Sequence, residues 1–258
     1  MSTLWEKELG VAGQAARESG KILNDLFGKI TKIGKKGEID LVTEADLLSE
    51  DIIVEIIGRN FPQDNILTEE SGELNRSSER LWIVDPLDGT TNFAHSFPFF
   101  AVSIALQVDN EIVLGVVYNP FMEEYFEAVK GEGAFLNKTP IKVSQVKDLK
   151  ESLIATGFPY SVYKEHGSII ELFKRMIVLV QGVRRPGSAS IDLCYVASGR
   201  LDGFWEEGLQ PWDTAAGSLI VREAGGIVSN YDGEGYSPFQ KNIVASNPHI
   251  HQKMLEVL

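Results

Sequence analysis

Residues 82 to 93, Trp82-Ile83-Val84-Asp85-Pro86-Leu87-Asp88-Gly89-Thr90-Thr91-Asn92-Phe93, restrict the chain more than any other stretch. Trp82, Ile83 and Val84 form an apolar run suited to a buried strand, and the run stops at Asp85, leaving a carboxylate at the strand's end. Pro86 fixes its own φ and drives Asp85 to extended geometry, so Asp85-Pro86-Leu87-Asp88 reads as a tight turn presenting both acids to one point. Two like charges that close repel strongly away from bulk water, and a divalent cation removes the repulsion. Oxygen donors suit magnesium, calcium or manganese rather than zinc, and the Leu87 carbonyl between the aspartates is a natural third ligand. Gly89 permits close backbone approach, and Thr90 and Thr91 can open a helix whose free N–H groups attract phosphate. Each piece alone is commonly a helix cap or a surface turn. All of them within one short stretch specify a metal and phosphate site.

A chain of 258 residues can bury a large core, as one unit or two apposed halves. The formal charge of -13 argues against the basic surface that binding to nucleic-acid phosphates requires, and means that an anionic substrate needs metal to be held. The single cysteine, Cys194, cannot make an internal disulfide, and no charged-then-apolar leader opens the sequence, which points to a reducing cytoplasm. The densest apolar run, Met176 to Val180, is far short of a membrane span.

Apolar and small residues at helical spacing predict a helix from Leu4 to Phe27, stopped by Gly28. Residues 29 to 42 are basic and glycine-containing, a solvated connector or a flap over a phosphate site. Thr43 caps a second helix with Leu48, Ile52, Ile53, Ile56 and Ile57 on its buried face and Asp46 in its first turn, where the dipole favours an acid. Ile66 to Thr68 reads as a short strand ending in Glu69 and Glu70, and an antiparallel meander follows from Phe100 to Val129. Near residue 150 the pattern changes to alternating strand and helix, giving an α+β half over 1–150 and an α/β half over 151–258. In the second half, Pro186-Gly187-Ser188-Ala189-Ser190 opens a helix carrying Cys194 as a small core residue. Glu206 lies at a strand end, and Asp213 sits at or near the cap of a helix running to Ala224.

Asp85 to Phe93 resembles the first motif of the inositol monophosphatase family, magnesium-dependent and lithium-sensitive phosphatases. Trp212-Asp213-Thr214-Ala215-Ala216-Gly217, followed by Glu223-Ala224-Gly225-Gly226, resembles the second. The likeness extends over nearly the whole chain, with Thr68 where the family usually has glycine. It implies an α/β fold, the five-layered α/β/α/β/α sandwich shared with fructose-1,6-bisphosphatases, and a homodimer in the cytoplasm. It implies hydrolysis of a small phosphorylated polyol, myo-inositol monophosphate, by metal-activated water with two to three Mg2+ ions. Carried over by resemblance, Glu69, Asp85 and the Leu87 carbonyl hold one ion, Asp85, Asp88 and Asp213 a second, and Glu69 a weaker third. Thr90, bonded to Asp46, positions the water. Substrate contacts fall to Glu69, Leu87, Asp88, Gly89, Thr90, Gly187, Ser188, Ala189, Asp213 and Glu206, with Arg184 near both cleft and dimer interface. Other substrates remain open on the same fold: fructose 1,6-bisphosphate, a nucleotide 3'-phosphate and histidinol phosphate. So does a role through protein contacts in transcription or ribosome maturation.

Overall fold

The structure is a computed structural model that describes residues 4–29, 33–35, 41–75, 78–159, 162, 164 and 167–258. Helix α1 (Glu6–Leu26) is followed by a small hairpin, β1 (Ile33–Lys35) and β2 (Leu41–Thr43), and by α2 (Glu44–Asn60). Residues 30–32 and 36–40 of the predicted basic connector lie outside the described residues. Then come β3 (Asn65–Thr68), β4 (Gly72–Leu74), β5 (Arg80–Asp88), α3 (Thr90–Ala94), β6 (Ala101–Val108), β7 (Glu111–Asn119), β8 (Glu124–Val129), β9 (Gly133–Leu136) and β10 (Thr139–Pro140). Among the described residues these strands form an eight-stranded sheet in the order β10-β9-β8-β7-β6-β5-β3-β4, antiparallel except where β3 runs parallel to β5.

After a single 3-10 turn at Leu149–Glu151 the chain builds β11 (Leu153–Thr156), α4 (Gly167–Ile177), β12 (Gly182–Arg184), α5 (Ala189–Ala197), β13 (Gly203–Glu207), α6 (Pro211–Glu223), β14 (Ile227–Ser229), β15 (Asn242–Ser246) and α7 (His251–Leu255). The second sheet has the order β12-β11-β13-β15-β14. Its first three strands are parallel, and β15 runs antiparallel to both neighbours.

Alternation along β5 sets the layers. Trp82 and Val84 pack with α1 and α2 on one face, while Ile83 packs with α5, α6 and Phe204 and Ile243 of the second sheet on the other. The outer face of the second sheet is covered by Met176 of α4 and Met254 of α7, against Trp205 and Val244. The order is therefore helix, sheet, helix, sheet, helix, the five-layered sandwich expected. The central helices lie very close to the large sheet: a Cβ at Gly115 of β7 would stand 2.9 Å from the Ala216 Cα of α6, so only glycine permits this spacing.

The buried face of α2 departs from the apolar pattern. Ile53, Ile56 and Ile57 are buried as expected, but Leu48 is exposed, and the next two positions, Ser49 and Glu50, are buried instead. Both have partners, which is what makes their burial tolerable. Ser49 Oγ lies 2.5 Å from Ser19 Oγ and donates to the Pro86 carbonyl at 2.7 Å; Glu50 Oε2 accepts from the Glu70 N–H at 2.9 Å. These contacts tie α2 to the two segments that carry the site's acids.

Candidate active site

The expected tight turn at Asp85-Pro86-Leu87-Asp88 is not a turn. Strand β5 continues to Asp88, with Asp85 opposite Ser103 and Asp88 opposite Ala101. Three steps on β5 face two on β6, so one extra residue bulges out between the aspartates. In a regular strand residues three apart point to opposite faces; the bulge rephases them, and both acids face one cavity. Pro86 has no N–H to lose from the ladder, which suits it to the irregularity. The Leu87 N–H donates to Asp85 Oδ1 at 2.9 Å, and Ser49 holds the Pro86 carbonyl. Gly89 follows at φ 96, with its hypothetical Cβ 2.9 Å from the Phe99 carbonyl oxygen, and α3 starts at Thr90.

The other acids come from separate elements. Glu69 stands just past β3, Asp213 is the third residue of α6 and Glu206 lies on β13. Asp213 has both roles read for it: its Oδ2 accepts from the Gln210 N–H at 2.7 Å as a cap, and it lines the cavity. Asp46 is fully buried behind Thr90, and its Oδ2 accepts from the Thr43 N–H and hydroxyl at 2.8 and 2.6 Å.

The cavity, about 590 Å³, is lined by Glu69, Asp85, Leu87, Asp88, Gly89 and Thr90 from the first part of the chain and by Gly187, Ser188, Ala189, Glu206 and Asp213 from the second. Arg184 is not among its walls. At the end of edge strand β12 it is exposed, with Nη1 on the Val183 carbonyl at 3.1 Å, and the next residue, Arg185, enters the cavity from the other side of the chain. Four features escaped sequence reasoning. Asn92 Nδ2 reaches the Phe99 and Pro186 carbonyls at 2.7 and 2.9 Å, pinning the α3 segment to the turn before α5. Ser190 joins Ser188 on Asp88. Phe158 lines the cavity and lies under the Arg185 guanidinium. Asp192 of α5 lines it as well. Asn92 lies inside the twelve-residue stretch, but Pro186 is 94 residues away and could not be named from it.

Burial dominates the electrostatics. It raises the Asp85 and Asp213 carboxyls well above the usual range. Glu69, Asp88 and Asp213 add to the effect at Asp85; Asp88, Glu69 and Glu206 add to it at Asp213. Asp88 is raised by burial and restrained by hydrogen bonds to its Oδ2 from Ser188 Oγ at 2.7 Å, Ser190 N–H at 2.8 Å and Ser190 Oγ at 2.5 Å. Glu206 is pushed up to about 8 by burial, with Arg185 opposing and Asp88 adding. As they stand, the carboxylates turn to protein donors, and among the described residues no three acids, histidines or cysteines form a group ready to hold an ion. The donor set nevertheless fits a hard divalent cation. The walls offer carboxylate oxygens with no thiolate or imidazole, and the acids raise one another's pKa in the way a cation relieves.

The sequence profile of the inositol monophosphatase family matches residues 5–258. The chain is 49% identical to an inositol-1-monophosphatase from Synechocystis sp. over 252 residues, 97% of this chain and 88% of that protein. It is 43% identical to the Nus factor SuhB of Escherichia coli strain K12 over 250 residues, 96% of this chain and 94% of that one. The crystal structure of the extragenic suppressor protein suhB from Bartonella henselae superimposes with a TM-score of 0.93 at 44% identity, covering 97% of this chain and 98% of that one. With a family match over almost its full length, and with the five-layered architecture and acid-lined cavity described above, the chain belongs to the inositol monophosphatase family.

Proposed function

We propose that the chain is a magnesium-dependent phosphatase acting on a phosphate monoester of a small polyol, with myo-inositol 1-phosphate as the first substrate to test. The observation that carries this reading is the convergence of Glu69, Asp85, Asp88 and Asp213 on one cavity beside the Thr90–Asp46 pair. Glu69, Asp85 and the Leu87 carbonyl would hold one ion, Asp85, Asp88 and Asp213 a second, and Glu69 a third. When bound, the metal polarises the phosphate oxygens and acidifies a water.

The chain's own residues orient that water. Asp46, held by Thr43 at Oδ2, accepts a hydrogen bond from the Thr90 hydroxyl at Oδ1. The Thr90 oxygen presents a lone pair to the water; as the water oxygen bonds to phosphorus and the ester P–O bond breaks, the water's proton passes to Thr90 Oγ1, the threonine's own proton passes to Asp46 Oδ1, and the departing alkoxide takes up a proton from solvent. Glu206 and the small residues Gly187, Ser188 and Ala189 face the alcohol portion. The same reading takes the chain as two halves, 1–150 and 151–258, each carrying one of the sheets and both lining the cavity. A homodimer and a cytoplasmic location complete the reading; no helix among the described residues is long and apolar enough to cross a membrane.

Phosphate release tests it across myo-inositol 1-phosphate, fructose 1,6-bisphosphate, a nucleotide 3'-phosphate and histidinol phosphate, with and without magnesium. Metal-dependent release from the inositol ester, inhibited uncompetitively by millimolar lithium, supports the reading; none from any ester refutes it. A second reading, protein contacts in transcription, is favoured by the 43% identity to the Nus factor. Capture of a protein partner that survives Asp88→Asn would separate it from catalysis.

A further inference from the structure

Helix α5 is buried on every side, and its residues Ile191, Leu193, Cys194, Val196 and Ala197 are apolar or small. Asp192 interrupts this set. It is 1% exposed and lines the cavity, and among the described residues its Oδ1 has no hydrogen-bond partner. Its backbone is ordinary: the N–H bonds the Ser188 carbonyl at 3.0 Å, so Asp192 lies one helical turn after the serine whose hydroxyl serves Asp88. A buried carboxylate oxygen without a donor is destabilising, and an apolar residue would suit this helix better, so the structure carries an acceptor it does not use internally.

What surrounds Asp192 indicates which donor it awaits. Glu206, Asp88 and the Arg185 guanidinium act on it electrostatically, and Glu206 and Arg185 line the same cavity. Glu206 is pressed onto the chain at Gly157, where a Cβ would stand 2.1 Å from its carboxylate oxygens. Two carboxyl groups that act with the same guanidinium in one cavity offer acceptors and donors matched to neighbouring hydroxyls on a ring or chain.

We propose that Asp192 is a specificity-determining residue whose Oδ1 accepts a hydrogen bond from a hydroxyl of the substrate's alcohol portion, so that the site selects polyhydroxylated esters over simple ones. This rests on the phosphatase reading above and extends its alcohol subsite to a residue on α5.

The test compares the parent, Asp192→Asn and Asp192→Leu with magnesium, on myo-inositol 1-phosphate and on p-nitrophenyl phosphate. In Asp192→Leu the ratio of kcat/KM for the inositol ester to that for the aryl ester should fall about ten- to a hundredfold, mainly through KM. Asp192→Asn, which keeps an acceptor oxygen, should recover most of the ratio. Without substrate, Asp192→Leu should melt at or above the parent temperature because an unpaired acid has been removed. Equal losses on both esters, or a lower melting temperature with an unchanged ratio, would overturn the proposal and make Asp192 structural. A parent that hydrolyses the aryl ester without preferring the inositol ester would overturn this subsite alone; a parent inert to both would overturn the phosphatase reading and the subsite with it.

Discussion

Thr90 Oγ1 stands 2.9 Å from Asp46 Oδ1 and 3.1 Å from the Leu87 carbonyl, so one hydroxyl proton links the start of α3 to the first turn of α2. Asp46 cannot swing away, because the N–H and the hydroxyl of Thr43 both hold its other oxygen. Removing the hydroxyl with Thr90→Ala should lower kcat about 10²- to 10⁴-fold with KM little changed. Thr90→Ser should stay within about tenfold of the parent. Steady-state kinetics decide it, and equal rates in the Ala and Ser variants would exclude a role for the hydroxyl.

Asn92 joins two distant loops with one amide. In Asn92→Ala the Phe99 and Pro186 carbonyls lose this donor, at a cost of about 1–3 kcal/mol. For a chain of this size that corresponds to a fall of roughly 2–10 °C in Tm. Because Pro186 precedes the Gly187–Ala189 wall, KM should rise as well. A variant melting with the parent would show that water replaces the amide at no cost.

Stability should depend on pH and metal together. Asp85, Asp88, Asp213 and Glu206 all have folded-state pKa values raised above their usual range. For an acid raised in this way, stability is fully present below the unfolded carboxylate value near about 4. It is then lost as pH rises through the folded values, which for Glu206 is about 8. In chelator, Tm should therefore fall between these limits, and magnesium should offset the fall. Asp213→Asn should flatten the chelator profile, whereas parent and variant curves running parallel would count against mutual repulsion in this cavity.

Glu206→Gln should weaken turnover of myo-inositol 1-phosphate by about ten- to a hundredfold, since a charged hydrogen bond contributes roughly 1.5–3 kcal/mol. An ester without vicinal hydroxyls should lose much less. Parallel kcat/KM measurements check this, and matched losses would assign Glu206 to supporting the metal site or the fold.

The strands and helices were legible because burial imposes a period: Trp82, Ile83 and Val84 were readable as a buried strand, and Val11 to Leu23 as one helical face. Glu69, Asp88, Glu206 and Asp213 were legible because each stands at or near the end of a strand or the start of a helix, whereas Asp85, read as a strand end, lies inside β5. The bulge between Asp85 and Asp88 was not, since it exists only in register with Ser103 and Ala101 on β6. Ser49 and Glu50 were missed in favour of Leu48 for a related reason: a polar residue is buried when it finds partners, here Ser19, Pro86 and Glu70, and partners remote in sequence leave no periodic trace. Arg184 and Arg185 differ only in which side of a strand end they occupy, which depends on where β12 stops.

Asp88 meets Ser188 across a sequence separation of 100 residues, and Asn92 meets Pro186 across 94. Contacts this distant form only after the intervening chain has been brought together, against the entropy of closing a long loop. Helix α1 and the hairpins of the meander can gather early, but the floor of the cavity must wait for α5 to arrive on β5. In refolding, helical and strand content should therefore return ahead of enzymatic activity, and a nascent chain that has not yet delivered α5 holds Asp88 without the serines that restrain its carboxyl.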